Sequence, residues 1–172
     1  MNLDEVFEKR YSARKYTDKK VEKELLEKVL DAGRIAPTAV NKQPQRFYVI
    51  DSKEAIEKLD RVTKMRYGAQ TVILICSDMD EVWKSKYEEG YNTSDMDISI
   101  ATTYMMLKAT ELGLGTVWVR AFDSREVKRE FNLPENIKPI CMLPIGYVTD
   151  DCKPNEVMHF TRNKLEDEIV YL

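Results

Sequence analysis

The 172-residue chain holds a single histidine, His159, and three cysteines, Cys76, Cys141 and Cys152. One histidine excludes any multi-histidine metal centre. A Ser-His-Asp triad needs only one, but no Gly-x-Ser-x-Gly turn is present to carry its nucleophile. Three cysteines without a Cys-x-x-Cys spacing give neither a disulfide framework nor a zinc site. They read as reduced thiols, small buried hydrophobes in a cytoplasmic protein. Only six glycines and six prolines occur, which excludes a collagen-like or low-complexity chain. No Gly-x-Gly-x-x-Gly follows a strand, so the dinucleotide fingerprint is missing. The longest dense apolar run, 72–76, falls far short of the ~20 residues of a membrane helix. The first residues lack a basic-then-apolar leader, so neither a membrane span nor a secretory signal is expected. Lys and Arg number 27 against 30 Asp and Glu, a net charge of −3, which argues against a nucleic-acid partner. A local basic cluster that binds one phosphate is still allowed.

What is present suits one globular domain over residues 1–172, with 43% hydrophobic and 33% charged residues. Asn2 followed three residues later by Glu5 predicts a helix start, with Leu3, Val6, Phe7 and Arg10 on one face. Residues 21–34 predict an amphipathic helix with Val21, Leu25 and Val29 in one row, Leu26 and Leu30 in the next, and Gly33 and Pro37 marking its end. Residues 46–50 read as a strand. A short helix follows Ser52, and 71–76 suits a strand buried on both faces. Residues 80–89 are polar with Val82, Trp83 and Tyr87 interspersed and are expected to be helical. Ser94 to Asp97 resembles a capping box. The helix that follows, 98–112, is apolar nearly all round, so it needs covering by its own sheet and by a second subunit. Gly113 and Gly115 stop it. A strand at 116–119, a helix at 124–131 and a strand at 140–148 complete an α+β pattern. The last 24 residues have few apolar anchors and are expected to form an arm lying on another surface, with His159 exposed.

Three clusters could carry chemistry. Arg10-Tyr11-Ser12-Ala13-Arg14-Lys15 offers two guanidinium forks and a hydroxyl, a set that suits phosphate oxygens or makes an ordinary solvated basic turn. In the stretch from Ala36 to Pro44, two prolines bracket Thr38, Asn41 and Gln43. The side-chain amides of Asn41 and Gln43 can meet the edge of a heteroaromatic ring, or the stretch is a plain helix-to-strand connection. Gly113-Leu114-Gly115 before Trp118 allows close backbone approach to a ligand, or caps a helix.

Taken in this order, the clusters resemble the motifs of the nitroreductase family. Arg10, Ser12, Arg14 and Tyr16 match its Arg-x-Ser-x-Arg/Lys-x-Phe/Tyr pattern. Ala36, Pro37, Thr38, Asn41, Gln43 and Pro44 are similar to its Ala-Pro-Ser-x-x-Asn-x-Gln-Pro-Trp pattern. Gly113 to Trp118, Leu143 to Tyr147 and Arg162 to Glu166 are similar to its later segments. Four positions depart from the pattern: Gln45 stands where tryptophan is usual, Ala39 where a hydroxyl is common, Gln70 where proline is, and Phe160 where a basic residue is.

The resemblance implies an α+β fold with a central, mostly antiparallel sheet flanked by helices, an extended C-terminal arm and a homodimer sharing two FMN sites. By that resemblance Arg10, Ser12 and Arg162 are phosphate ligands, and Arg14 is the cation near the ribityl chain and the pyrimidine edge. Pro37, Thr38 and Asn41 come from the other subunit, and a backbone N–H of Arg120 or Ala121 faces N5. It also implies NADH or NADPH as electron donor and a small acceptor such as a nitroaromatic or quinone, with no catalytic side chain because FMN carries the chemistry. Relatives use the same fold for flavin fragmentation, dehalogenation or dehydrogenation, and a non-enzymatic flavin-binding protein is the remaining alternative.

Overall fold

The computed structural model describes residues 1–172. Seven helices surround one four-stranded sheet, and every pairing of its strands is antiparallel. The strands are β1 (Gln45–Ile50), β2 (Thr71–Asp78), β3 (Gly115–Thr116) and β4 (Ile137–Gly146), in the spatial order β1-β2-β4-β3. The α+β expectation holds.

Strand β2 is the centre. All eight of its residues are buried, as a continuous apolar run requires. The alternation of the extended chain sends Ile73 and Ile75 to one face of the sheet and Val72, Leu74 and Cys76 to the other. The first face is covered by α2 (Lys23–Arg34) and α4 (Ser94–Glu111), through Leu26, Val29, Ile98, Met105 and Ala109. The second is covered by α3 (Lys53–Val62) and α5 (Ser124–Glu130), through Leu59 and Val127. Three layers result. Each fully buried aliphatic side chain contributes about 1.5–3 kcal/mol, so this centre holds the fold together.

Several elements differ from the sequence reading. Residues 80–89 form turns, not a helix. The Ser85 hydroxyl accepts from the amides of Tyr87 and Glu88, closing a local turn that competes with helix, and Tyr87 is 95% exposed. The N-cap of α4 is Thr93, one residue before the expected Ser94, and the Asp97 carboxylate accepts from the Thr93 hydroxyl and from Ala39 N–H instead of closing a box with Ser94. Strand β4 starts at Ile137, three residues early; Pro139 is accommodated because it faces Cys76 at a bulge in the β2–β4 pairing. The strand expected over 116–119 is broken into β3 and a single bridge from Val119 to Met142.

Helix α4 ends as expected. Gly113 takes φ +78°, and Leu114 N–H donates to the Ala109 carbonyl. The outer face of α4 leaves Met96 and Tyr104 exposed. Helix α1 (Leu3–Lys9) has the expected capping box between Asn2 and Glu5. The C-terminal stretch holds two short helices, α6 (Glu156–Phe160) and α7 (Leu165–Glu168), and leaves Leu165, Val170 and Tyr171 exposed.

Between α1 and α2 the chain runs extended along the β3 edge. Ser12 bridges Thr116, Ala13 N–H donates to the Thr116 carbonyl at 2.9 Å, and Tyr16 bridges Val148. Gly115 permits this approach: a Cβ there would lie 2.9 Å from that of Ala13 and 2.3 Å from Val148 Cγ1.

Candidate functional site

The extended run fixes which side chains of the basic cluster face outward. Ala13 is fully buried, so its neighbours Ser12 and Arg14 take the opposite side. Together with Arg10 and Tyr11 they line a cavity of about 170 Å³ whose far wall is Asn155, Met158 and His159 of the α6 region. A neighbouring hollow of about 280 Å³ shares Ser12, Arg14 and Asn155. The Tyr11 hydroxyl donates to the Cys152 carbonyl at 3.1 Å and ties the two walls. Burial, then the contact with Cys152, pushes the Tyr11 phenol up to about 12, so it stays protonated. Lys15 is spent on Asp151 at 2.5 Å.

Ion pairing separates the arginines. The chain has ten. Five are ion-paired: Arg34, Arg46, Arg61, Arg66 and Arg125. Of the five without a carboxylate partner, four are Arg10, Arg14, Arg120 and Arg162, the arginines of the expected site; the fifth is Arg129. Arg14 donates only to the Ser12 carbonyl at 3.3 Å, and Arg162 only to the Thr161 carbonyl at 2.7 Å. The Arg10 guanidinium donates to no protein group. Cations left without counter-ions are free to take an anion.

Not all expected residues meet within one chain. Arg162 lies exposed between α6 and α7 and does not line the Arg10 cavity. Pro37, Thr38 and Asn41 lie in the α2–β1 loop and do not line it either. Arg120 is exposed over the Phe122 ring at 4.8 Å. The amides of Arg120 and Ala121 donate to no protein acceptor, while the Ala121 carbonyl accepts from the Thr63 hydroxyl at 3.0 Å. Asn155, Met158 and His159 were missed by sequence reasoning. His159 is half-buried, edge-on to Tyr11 and Phe160 with ring centroids 6.4 and 4.6 Å apart, not free on the surface. Nothing local flags these three residues, because the cluster they complete lies about 145 positions earlier in the chain.

A larger cavity, about 410 Å³, lies between α2 and β1. Its arginines are already neutralised, Arg34 by Asp31 and Arg46 by Asp78. Gln45, at the position where the family pattern has tryptophan, lines it. Its Oε1 and the hydroxyl of its cross-strand neighbour Ser77 are buried without a protein partner.

The family model described as the nitroreductase family matches residues 7–66 and 63–147. The chain belongs to the nitroreductase family. A protein of Methanothermobacter thermautotrophicus, provisionally named an NADH dehydrogenase/NAD(P)H nitroreductase, is 32% identical over 96% of this chain and 87% of its own length. The crystal structure of a nitroreductase family protein from Clostridium difficile 630 superposes with a TM-score of 0.92 at 47% identity, covering 99% of this chain and 98% of that one. More distant relatives differ in name. One is an iodotyrosine deiodinase of Thermotoga neapolitana, 26% identical over 91% of this chain and 95% of its own. Another is an FMN reductase [NAD(P)H] of Bacillus subtilis, 27% identical over 81% and 63%.

Proposed function

We propose that the protein is an FMN-dependent NAD(P)H oxidoreductase that works as a homodimer. The observation that carries the reading is the pair Arg10 and Arg14, cations without a carboxylate partner that line one cavity with the Ser12 hydroxyl; Arg120 and Arg162 also lack a carboxylate partner but lie outside that cavity. These residues fit FMN in kind. A phosphate monoester is a dianion that takes several charge-assisted bonds, and this edge offers guanidinium donors with no carboxylate partner. Membership of the nitroreductase family and the naming of a relative as an FMN reductase support it. The chemistry supplied by bound FMN is two-electron and ping-pong: hydride acceptance from NADH or NADPH, then delivery to a nitroaromatic, quinone or similar small acceptor.

The chain's own groups hold and tune. Arg10 and Ser12, with Arg162 from outside the cavity they line, would hold the phosphate. Arg14 places fixed positive charge toward the ring edge where reduction adds electron density. The open amides of Arg120 and Ala121 present donors to N5. No side chain of this site needs to move a proton, which suits a chain with one histidine. Pro37, Thr38 and Asn41 reach the site across a dimer. The exposed outer face of α4 and the exposed apolar residues of the C-terminal arm, Leu165, Val170 and Tyr171, favour that assembly.

The relative named iodotyrosine deiodinase favours a second reading, in which the same flavin site performs reductive dehalogenation. One experiment separates the readings. Purified protein reconstituted with FMN is scanned for flavin absorbance, bleached anaerobically with NADH or NADPH, and then offered nitrobenzene derivatives, quinones or iodophenols. The proposal expects bleaching and reoxidation by nitro compounds or quinones. Reoxidation by iodophenols alone establishes the second reading, and a protein that takes up no FMN overturns both.

A further inference from the structure

We propose that Asp97 is the positioning residue for the 37–41 loop, fixing the shape in which Pro37, Thr38 and Asn41 meet the flavin. The inference rests on the flavin reading above. It is carried by the backbone of the loop and by one buried carboxylate in α4.

The loop is held in a demanding conformation. Val40 has φ 44° and ψ 33°, and Asn41 and Gln43 have φ of 56° and 52°. Left-handed backbone is unfavourable for any L-residue and most of all for a β-branched one such as valine. Such a run persists only where its surroundings over-determine it. Within the loop, the Thr38 hydroxyl accepts from Gln43 N–H at 3.0 Å, and Asn41 N–H donates to the Thr38 carbonyl at 3.0 Å. These bonds shape the loop but do not anchor it to the rest of the fold. The only hydrogen bond that residues 37–42 make to another element runs from Ala39 N–H to Asp97 Oδ1, at 2.9 Å.

Asp97 is built for that task. It is 2% exposed. Its second oxygen, Oδ2, accepts from the Thr93 hydroxyl at 2.7 Å, so both oxygens have donors. No lysine or arginine is paired with it. Its charge is offset by the first turn of an 18-residue helix, where the aligned peptide dipoles favour an anion. A buried charge is a costly way to anchor a surface loop, and it yields a bond that is short, directional and stronger than a neutral one. The position explains the misplaced cap as well. Asp97 does not close a capping box because its carboxylate serves the loop, 58 residues earlier in the chain.

The test compares FMN with riboflavin, which has the ring but no phosphate. Dissociation constants come from quenching of flavin fluorescence in parent, Asp97→Ala, Asp97→Asn and Arg10→Ala proteins. Amide exchange at Ala39 is followed alongside. Asp97→Ala is expected to weaken both flavins by the same factor, on the order of tenfold, and to speed exchange at Ala39. Asp97→Asn retains an acceptor for Ala39 and a donor for a reversed Thr93 hydroxyl, so it recovers most of the affinity. Arg10→Ala loses FMN selectively. If Asp97→Ala does not fold, Thr93→Val removes only the support of Oδ2 and is expected to weaken both flavins two- to threefold. Parental affinity for both flavins in Asp97→Ala, or in Thr93→Val where it stands in, overturns the proposal, as does loss of FMN alone. A parent that binds neither flavin overturns the flavin reading and this proposal with it.

Discussion

Two cavities of this molecule are lined by two arginines each, and they are opposites. Between α2 and β1, in the larger hollow, Arg34 and Arg46 are each held by an aspartate. At the β3 edge, in a hollow of less than half that volume, Arg10 and Arg14 have no counter-ion. The same side chain is structural in one place and available in the other, and the difference is the company it keeps. Size alone does not distinguish the two. The chemically informative quantity is charge that folding has left uncompensated, because that charge can be satisfied only from outside.

The contrast can be broken most severely by alkali. Burial pushes the thiols of Cys76 and Cys141 from an ordinary value of 9.0 up to about 12. Burial also raises the Tyr11 phenol from 10.0 to about 12. These folded-state values lie above the unfolded ones, so their contribution to stability is complete below pH 9 and is lost as pH rises through 12. The urea midpoint is expected to fall steadily across that window. Guanidinium groups stay charged throughout, so flavin release should coincide with unfolding and not precede it. Release well before the loss of far-ultraviolet circular dichroism contradicts the assignment of arginines to the site.

Next in size is removal of one free cation. Arg10→Ala is expected to weaken FMN by roughly tenfold or more, the equivalent of a charge-assisted bond worth about 1.5–3 kcal/mol, with little change in melting temperature. Unchanged FMN affinity in equilibrium titration counts against the phosphate site. The paired arginine should behave in reverse. Arg46→Ala strips the cation from Asp78, whose side chain is only 12% exposed. A stability loss of about 1–2 kcal/mol in urea titration is expected, with parental FMN affinity. A variant that binds FMN less well without being destabilised erases the distinction between the two cavities.

The smallest effect sharpens the comparison within the free set. Arg14→Ala is expected to lower the flavin midpoint potential and slow reduction by NAD(P)H several-fold, because fixed positive charge favours the electron-rich reduced ring. Arg14→Lys retains the charge and should be milder. A redox titration giving Arg14→Ala a potential equal to or above the parent's places Arg14 on the phosphate side.

Much of this was legible in the sequence wherever a signal is local. The apolar run at 71–76, the amphipathic 21–34 segment and the Asn2–Glu5 box declare themselves within a few residues, and each formed its element. The basic cluster declared its residue types, and the family pattern supplied their roles. What failed depended on distant partners. The Ser94–Asp97 spacing reads as a cap only while Ala39 is out of view. The strand beginning at Ile137 is hidden by Pro139 until the bulge at Cys76 is known. Residues 80–89 contain helix-compatible side chains, but the Ser85 turn competes with helix, and the segment buries Val82 while leaving Tyr87 exposed. Asn155, Met158 and His159 belong to the cavity only because Tyr11 and Cys152 close a loop of 141 residues.

That last closure has a consequence for how the protein is made. One wall of the cavity, Arg10 to Arg14, leaves the ribosome about 145 residues before the facing wall, Asn155 to His159. The whole sheet is therefore synthesised before a ligand could be gripped from both sides. Ligand capture at that edge would report that synthesis has passed α6, and a translation product that stops short of α6 should be distinguishable by that property from one that contains it.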